Sequence, residues 1–251
     1  MQALFDSLWL QLQSLWDHLS QLPLFGLLLS LLCYQAGLII YQRFGRNVIL
    51  HPVVTASIAI ALLLNLLNIS YKEYLQANQL LYFLLGPATV ALAVPLYQEF
   101  HHIRRLALPI LVTVVVGATF ASISAVAIGY WLGGSETTLL SLAPKSVTTP
   151  IALGVSESIG GLPGLTTGVV VFTGVIGTLL SPAVFYLLQL RDPRQQGIVL
   201  GINAHGVGTA RGFEINASTG AFASLAMGLT GAFTALTLPY IVTALRSAGW
   251  L

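Results

Sequence analysis

Lys145 stands in the string Ala143-Pro-Lys-Ser-Val-Thr-Thr-Pro150, flanked by two prolines and followed by three hydroxyl residues. The ammonium can balance an anion, and Ser146, Thr148 and Thr149 can hydrogen-bond a carboxylate or an adjacent hydroxyl. Each proline removes a backbone donor and disturbs the preceding helical turn. In lipid the freed groups need partners, so such a break lies inside protein or beside a wet cavity. A lysine at membrane depth costs about 2.5–3.5 kcal/mol on insertion scales, a cost that marks function. The alternative is a Lys145 that snorkels to an interface.

A second constellation is Gly201-Ile-Asn-Ala-His-Gly-Val-Gly-Thr-Ala-Arg-Gly212, poor helix material with several donors. Asn203, His205, Thr209 and Arg211 could hold a carboxylate, Arg211 in bidentate fashion. The alternative is a glycine-rich packing turn with Arg211 at the water boundary and Glu214 as its ion partner. Gly206-Val-Gly208 looks like a phosphate-loop fragment, but no strand precedes it. Glu157 is a candidate coupling carboxylate, or a loop residue. Gly164 with Gly168, and Gly197 with Gly201, have the spacing of close helix packing.

Pro87 and Pro95 place a weaker break of the same kind earlier, so Pro87, Pro95, Pro144 and Pro150 are all helix-break candidates. The two stretches align at an offset of 57, Pro87 upon Pro144 and Val90 upon Val147. The same offset sets Gly117 upon Gly174 and Ser124 upon Ser181. Interrupted helices at matching places in an internal repeat point to a transporter's binding site.

The elements that position these residues must be membrane helices. Hydrophobic residues make up 56% of the 251 and charged residues 7%, with a mean hydropathy of +0.85. About a quarter of a soluble domain is charged, so this chain could not cover a soluble surface. A net charge of +2 without a basic run gives nucleic acid no footing. Cys33 is the single cysteine and excludes an internal disulfide. Candidate spans are 24–41, 48–67, 79–97, 107–132, 139–159, 165–190, 197–210 and 220–245. That at 197–210 is too short to cross as a plain helix. The expected fold is an all-α, polytopic transmembrane bundle with interrupted helices and an internal repeat. Residues 1–23 read as an amphipathic interfacial helix, with Phe5, Leu8, Leu12, Leu15, Leu19 and Leu22 at helical spacing. They lack the basic start and cleavage site of a signal peptide. Residues 24–251 form the membrane domain.

Sidedness poses a conflict. Arg43/Arg46 and Arg104/Arg105 flank an even number of spans and can share the cytoplasmic side. Arg191/Arg194 then falls on the opposite side if the three segments between each cross once. The stretch Pro144 to Pro150 is the suspect, being unfit for a plain crossing helix.

The strings Leu85-Gly-Pro-Ala-Thr-Val-Ala-Leu-Ala-Val-Pro-Leu-Tyr97, Pro144-Lys-Ser-Val-Thr-Thr-Pro-Ile-Ala152, Gly160-Gly-Leu-Pro163 and His205-Gly-Val-Gly-Thr-Ala-Arg211 together resemble the LrgB/CidB family of membrane proteins. Gly220-Ala-Phe-Ala-Ser-Leu-Ala-Met227 extends the match, so that it covers roughly residues 25–245. The resemblance implies two functions. One is a holin-like or antiholin-like regulator of murein hydrolase export and lysis. The other is transport of small monocarboxylates of the pyruvate, glycolate or glycerate type, as in the related plastid glycolate/glycerate carrier. It also implies a small LrgA/CidA-type membrane subunit as partner and the inner membrane of a bacterium as location. The long extension and fused domain of the plastid protein are not in this sequence, so a stand-alone bacterial-type subunit or its organellar equivalent is expected. Lys145 beside helix breaks suits a carrier better than a lysis regulator. No cofactor is expected. Coupling to protons or sodium is open, and the small-residue faces suit a homodimer. Ser, His and acids for a hydrolase occur, but no nucleophile elbow or zinc motif accompanies them.

Overall fold

A computed structural model describes residues 23–91 and 93–248. The expected amphipathic helix at the start lies outside the described residues. The described chain is helical and divides into two compact units, residues 23–91 and 93–248.

The first unit holds α1 (Pro23–Arg43), α2 (Pro52–Leu66), α3 (Tyr71–Ala77) and α4 (Gln79–Ala91). Helix α1 is long and apolar enough to cross a membrane, and α2 with α3 form a pair bent by 118°. The bend follows from Asn68, at φ 53°, and from Ser70, which starts α3 in a capping box with Glu73. Ser30 of α1 meets α3 and its end, 2.7 Å from the Tyr74 hydroxyl and donating to Asn78 Oδ1 at 2.9 Å.

The second unit holds α5 (Ala93–Gln98), α6 (Phe100–Arg105), α7 (Ala107–Trp131), α8 (Glu136–Leu142), α9 (Thr149–Ile159), α10 (Pro163–Leu187), α11 (Pro193–Ile215) and α12 (Ala217–Ser247). Helices α7, α10 and α12 have the length and hydropathy of membrane spans. Among the described residues that makes four such helices, or five with the bent pair. This corrects the count of eight candidate spans. The segments at 139–159 and 197–210 do not cross, and 79–97 divides into α4 and α5.

Segment 139–159 is a hairpin. Arg246, in the last turn of α12, donates to Glu136 Oε1 at the start of α8 and to Ile159 O at the end of α9. Both ends of the segment therefore lie at one level. Ser141 and Thr166 tie the hairpin to α10, with Leu162 N donating to Ser141 Oγ at 2.7 Å and Thr166 Oγ1 to Ser141 O at 3.2 Å.

Helix α11 is a second hairpin. His205 has φ 38° and ψ −125°, far from helical values. A straight helix would set Leu200 and Gly208 about 12 Å apart. A Cβ on Gly208 would instead lie 2.5 Å from Leu200 O. Gly197 and Gly212, at opposite ends of the segment, both press against Thr219 O. The chain therefore enters as 193–204, reverses at His205 and leaves as 206–215.

The sidedness conflict is resolved by these turns. With 136–159 entering and leaving on one side, Arg104/Arg105 and Arg191/Arg194 fall at the same end of the unit. There Arg194 senses Glu99, and Asp192 senses His102. Opposite lies the end that carries Glu136 and Arg246. Hairpin 1 (α8–α9) dips in from the Arg246 end and α10 runs back to the basic end. Hairpin 2 (α11) dips in from the basic end and α12 runs to the Arg246 end. Hairpin plus crossing helix thus occurs twice, in opposite orientations.

Packing in lipid depends on close fit and hydrogen bonds rather than on apolar burial. Buried Ile110 and Val114 of α7 meet Ile202 of hairpin 2 and Phe222 and Ala226 of α12. Leu140, Ala143, Val155 and Ile159 of hairpin 1 meet Leu238 and Val242 of α12. The 57-residue offset carries α7 onto α10, and Gly117 and Gly174 both abut hairpin 2, at Ile202 and His205. Its other anchor differs in local structure, because Pro87 lies inside α4 while Pro144 lies in a turn.

Candidate functional site

Both hairpin tips reach the middle of α10. Lys145, at the tip of hairpin 1, and Asn203, near the tip of hairpin 2, line one cavity of about 340 Å³. Its remaining walls come from Val169, Phe172, Thr173, Ile176 and Gly177 of α10. Nothing in the sequence singles these five out, because α10 reads as an unbroken apolar span. Gly174 and Gly177, one turn apart beside Thr173, were the available signal.

The tip of hairpin 1 is built by its prolines. Pro144 is buried in the turn after α8, and Pro150 sits in the first turn of α9, where the missing N–H costs nothing. Thr148 is the N-cap residue of α9 in extended conformation, though its hydroxyl makes no cap bond. Thr149 is the first helical residue. Lys145 Nζ donates to the buried Ser146 Oγ at 3.2 Å. Neither Asp nor Glu occurs in α7, α10 or the tip of hairpin 1. Of the other two break candidates, Pro87 leaves α4 running on to Ala91, and Pro95 lies in the first turn of α5.

The tip of hairpin 2 is held by His205. Its Nε2 lies 2.9 Å from Val170 O, which can only accept, so Nε2 carries a proton. The ring presses on Gly174, where a Cβ would come within 2.7 Å of it. Thr209 donates to His205 O at 2.9 Å and so fastens the turn rather than facing the cavity. Arg211 lies in the outgoing arm, where its Nη1 donates to Glu214 Oε2 at 2.7 Å. Glu157 is exposed in the last turns of α9, toward the Arg246 end. The structure therefore brings Lys145 and Asn203 onto one cavity, with Ser146 bonded to Lys145, Thr148 and Thr149 following in the same turn, and His205 holding the turn that carries Asn203. Arg211 and Glu157 do not line the cavity.

Two half-helices begin at these tips. Helix α9 starts at Thr149 and the outgoing arm of hairpin 2 at Gly206. A helix N-terminus presents unpaired N–H groups and about half a positive charge. Gly197 and Gly201 pack backbone to backbone on α12, whereas Gly164 and Gly168 have no neighbour within 4 Å of a Cβ.

Opposed re-entrant hairpins between crossing helices, with a lysine at their meeting point, define a multi-pass membrane protein of the broken-helix class. The family profile of the LrgB-like family matches residues 30–244, and the chain belongs to that family. It is 38% identical to the uncharacterized protein YwbG of Bacillus subtilis over 218 residues, 87% of this chain and 96% of that protein. YxaC of the same organism, also uncharacterized, is 34% identical over 86% of this chain and 94% of its own length. The antiholin-like protein LrgB of Bacillus cereus (strain B4264) is 30% identical over 217 residues, 86% of this chain and 94% of the relative. No solved structure matches.

Proposed function

We infer that the second unit binds a small monocarboxylate anion between the hairpin tips and carries it across the membrane by alternating access. One observation carries the reading: Lys145 and Asn203, from hairpins of opposite entry, line the same cavity at mid-depth. The ammonium balances the carboxylate, and Ser146 or Asn203 hydrogen-bonds it or the adjacent oxygen. The half-helix N-termini add positive potential where water is scarce. A volume of about 340 Å³ admits a short 2-oxo or 2-hydroxy acid with its remaining water. Coupling to protons or sodium would be read from the same uptake assay.

Uptake of labelled pyruvate and glycolate into proteoliposomes tests this. Lys145→Met is expected to lower saturable uptake at least about 100-fold, the scale of losing a buried charge-assisted contact. Insertion and folding should be unchanged. Undiminished uptake by the variant would remove Lys145 from the site.

A second reading has its own support, in the antiholin-like name of relatives about 30% identical. On that reading the protein regulates murein hydrolase export and lysis, with or without a small membrane subunit. A lysis phenotype that survives Lys145→Met would favour it over carriage.

A further inference from the structure

Hairpin 1 and hairpin 2 are fastened differently at their mouths. One guanidinium spans the mouth of hairpin 1, with Arg246 Nη2 3.1 Å from Glu136 Oε1 and 3.0 Å from Ile159 O. Both partners of the ion pair are almost half exposed, at 45% and 48%. Such pairs form and break readily. Glycine pairs flank the hairpin on both sides: Gly133-Gly134 before α8 and Gly160-Gly161 after α9. Gly133 and Gly160 take φ 79° and 90°, a region open to glycine and costly for other residues. Inside the mouth the hairpin is joined to α10 by hydroxyl bonds among Ser141, Ser156 and Thr166. Hairpin 2 has no glycine at its ends, which are Arg191-Asp192-Pro193 and Ile215-Asn216-Ala217. Its backbone lies directly on α12 at Gly197, Gly201 and Gly212.

We propose that hairpin 1 is the moving gate of the site, swinging on its two glycine pairs, and that Arg246 with Glu136 is the clasp that holds it shut on their side of the membrane. Motion of hairpin 1 withdraws Lys145 and its turn from the cavity wall and opens a path from the Arg246 end. Hairpin 2 stays fixed to α12 and presents Asn203 as part of the stationary wall, with His205 holding its turn. This deepens the anion-site reading only in what passes beneath the gate; whether the gate moves can be measured with no anion present.

The test uses the full chain in vesicles with Cys33→Ala and a reporter Val147→Cys, since Val147 is 1% exposed at the tip of hairpin 1. A membrane-impermeant thiol reagent is applied from each side in turn. Arg246→Gln is expected to speed modification about two- to fivefold from the Arg246 side, the range for losing an exposed ion pair, and to leave the rate from the basic side unchanged. Glu136→Gln, a milder change, should act in the same direction. The charge swap Glu136→Arg with Arg246→Glu should bring the rate back toward its starting value. Unchanged rates in both single variants, or equal increases from both sides, would overturn the proposal. The assay contains no substrate, so its outcome is independent of uptake by Lys145→Met.

Discussion

Hairpin 1 reverses the chain over six residues, Ala143 to Thr148, whereas hairpin 2 reverses it on His205 alone. The wide turn uses Pro144 and an N-cap residue, with Pro150 in the first turn of α9, and needs no positive φ. The narrow turn forces a non-glycine residue to φ 38°, which costs about 1–3 kcal/mol. Two hydrogen bonds offset that strain, from His205 Nε2 to Val170 O and from Thr209 Oγ1 to His205 O. The comparison teaches that a membrane hairpin can be made by breaking a helix with prolines or by folding one sharply with glycines to let its arms meet. The first kind leaves a roomy tip where a lysine fits. The second gives a tight wall.

The comparison can be broken at the glycine contacts of hairpin 2. A Cβ at Gly201 would overlap Ala223 O and lie 2.8 Å from Ala226 Cβ, both on α12. Gly201→Val is expected to destabilise the protein by at least about 1–3 kcal/mol, the cost of overpacking a close-packed site. Gly164→Val, at the start of α10 with open space around it, should be near neutral. Thermal unfolding in detergent compares the two. Equal melting temperatures would contradict the tight packing of hairpin 2.

A smaller effect sharpens the picture at the entrance of hairpin 2. Asp192 accepts from Arg194 N at 2.9 Å and pairs with its guanidinium at 2.8 Å, which holds the carboxyl below the usual aspartate range. A lowered carboxyl contributes stability above the ordinary value near 3.9 and loses it as pH falls through the lowered value. About a third of each side chain is exposed, so solvent screening keeps the contribution of the pair small. Asp192→Asn should therefore cost little at neutral pH and flatten the acid limb of a stability–pH curve. An unchanged acid limb would place the titration elsewhere.

Much of this architecture was legible in the sequence, and the limits are physical. Sparse charge and repeated apolar runs of bilayer length identify the membrane helices α1, α7, α10 and α12. The break at Pro144–Thr148 is legible because prolines, hydroxyls and a lysine rarely share a crossing helix. The sidedness conflict of Arg191 and Arg194 pointed at the same stretch, and the hairpin there accounts for it. The return of α11 was only half legible: 197–210 is too short to cross, but nothing in a lone histidine announces a positive φ. Pro87 lies inside α4, which runs past it to Ala91, and a helix can carry one internal proline when its neighbours re-satisfy the backbone. The walls of the cavity on α10 were hidden, since a helix facing both lipid and site stays apolar throughout. Arg211 reads in the sequence as a ligand or as the ion partner of Glu214, and in space its Nη1 donates to Glu214 Oε2.

The central claim is that two hairpins enter from opposite sides and meet at Lys145 and Asn203. Single cysteines at Glu136, Glu157, Arg191 and Glu214, in a Cys33→Ala background, measure it most directly by labelling with a membrane-impermeant maleimide from each side. The expected pattern is Glu136 and Glu157 labelled from one side and Arg191 and Glu214 from the other. Labelling of Glu136 and Glu157 from opposite sides would mean that residues 136–159 cross the membrane, and would contradict the opposed hairpins.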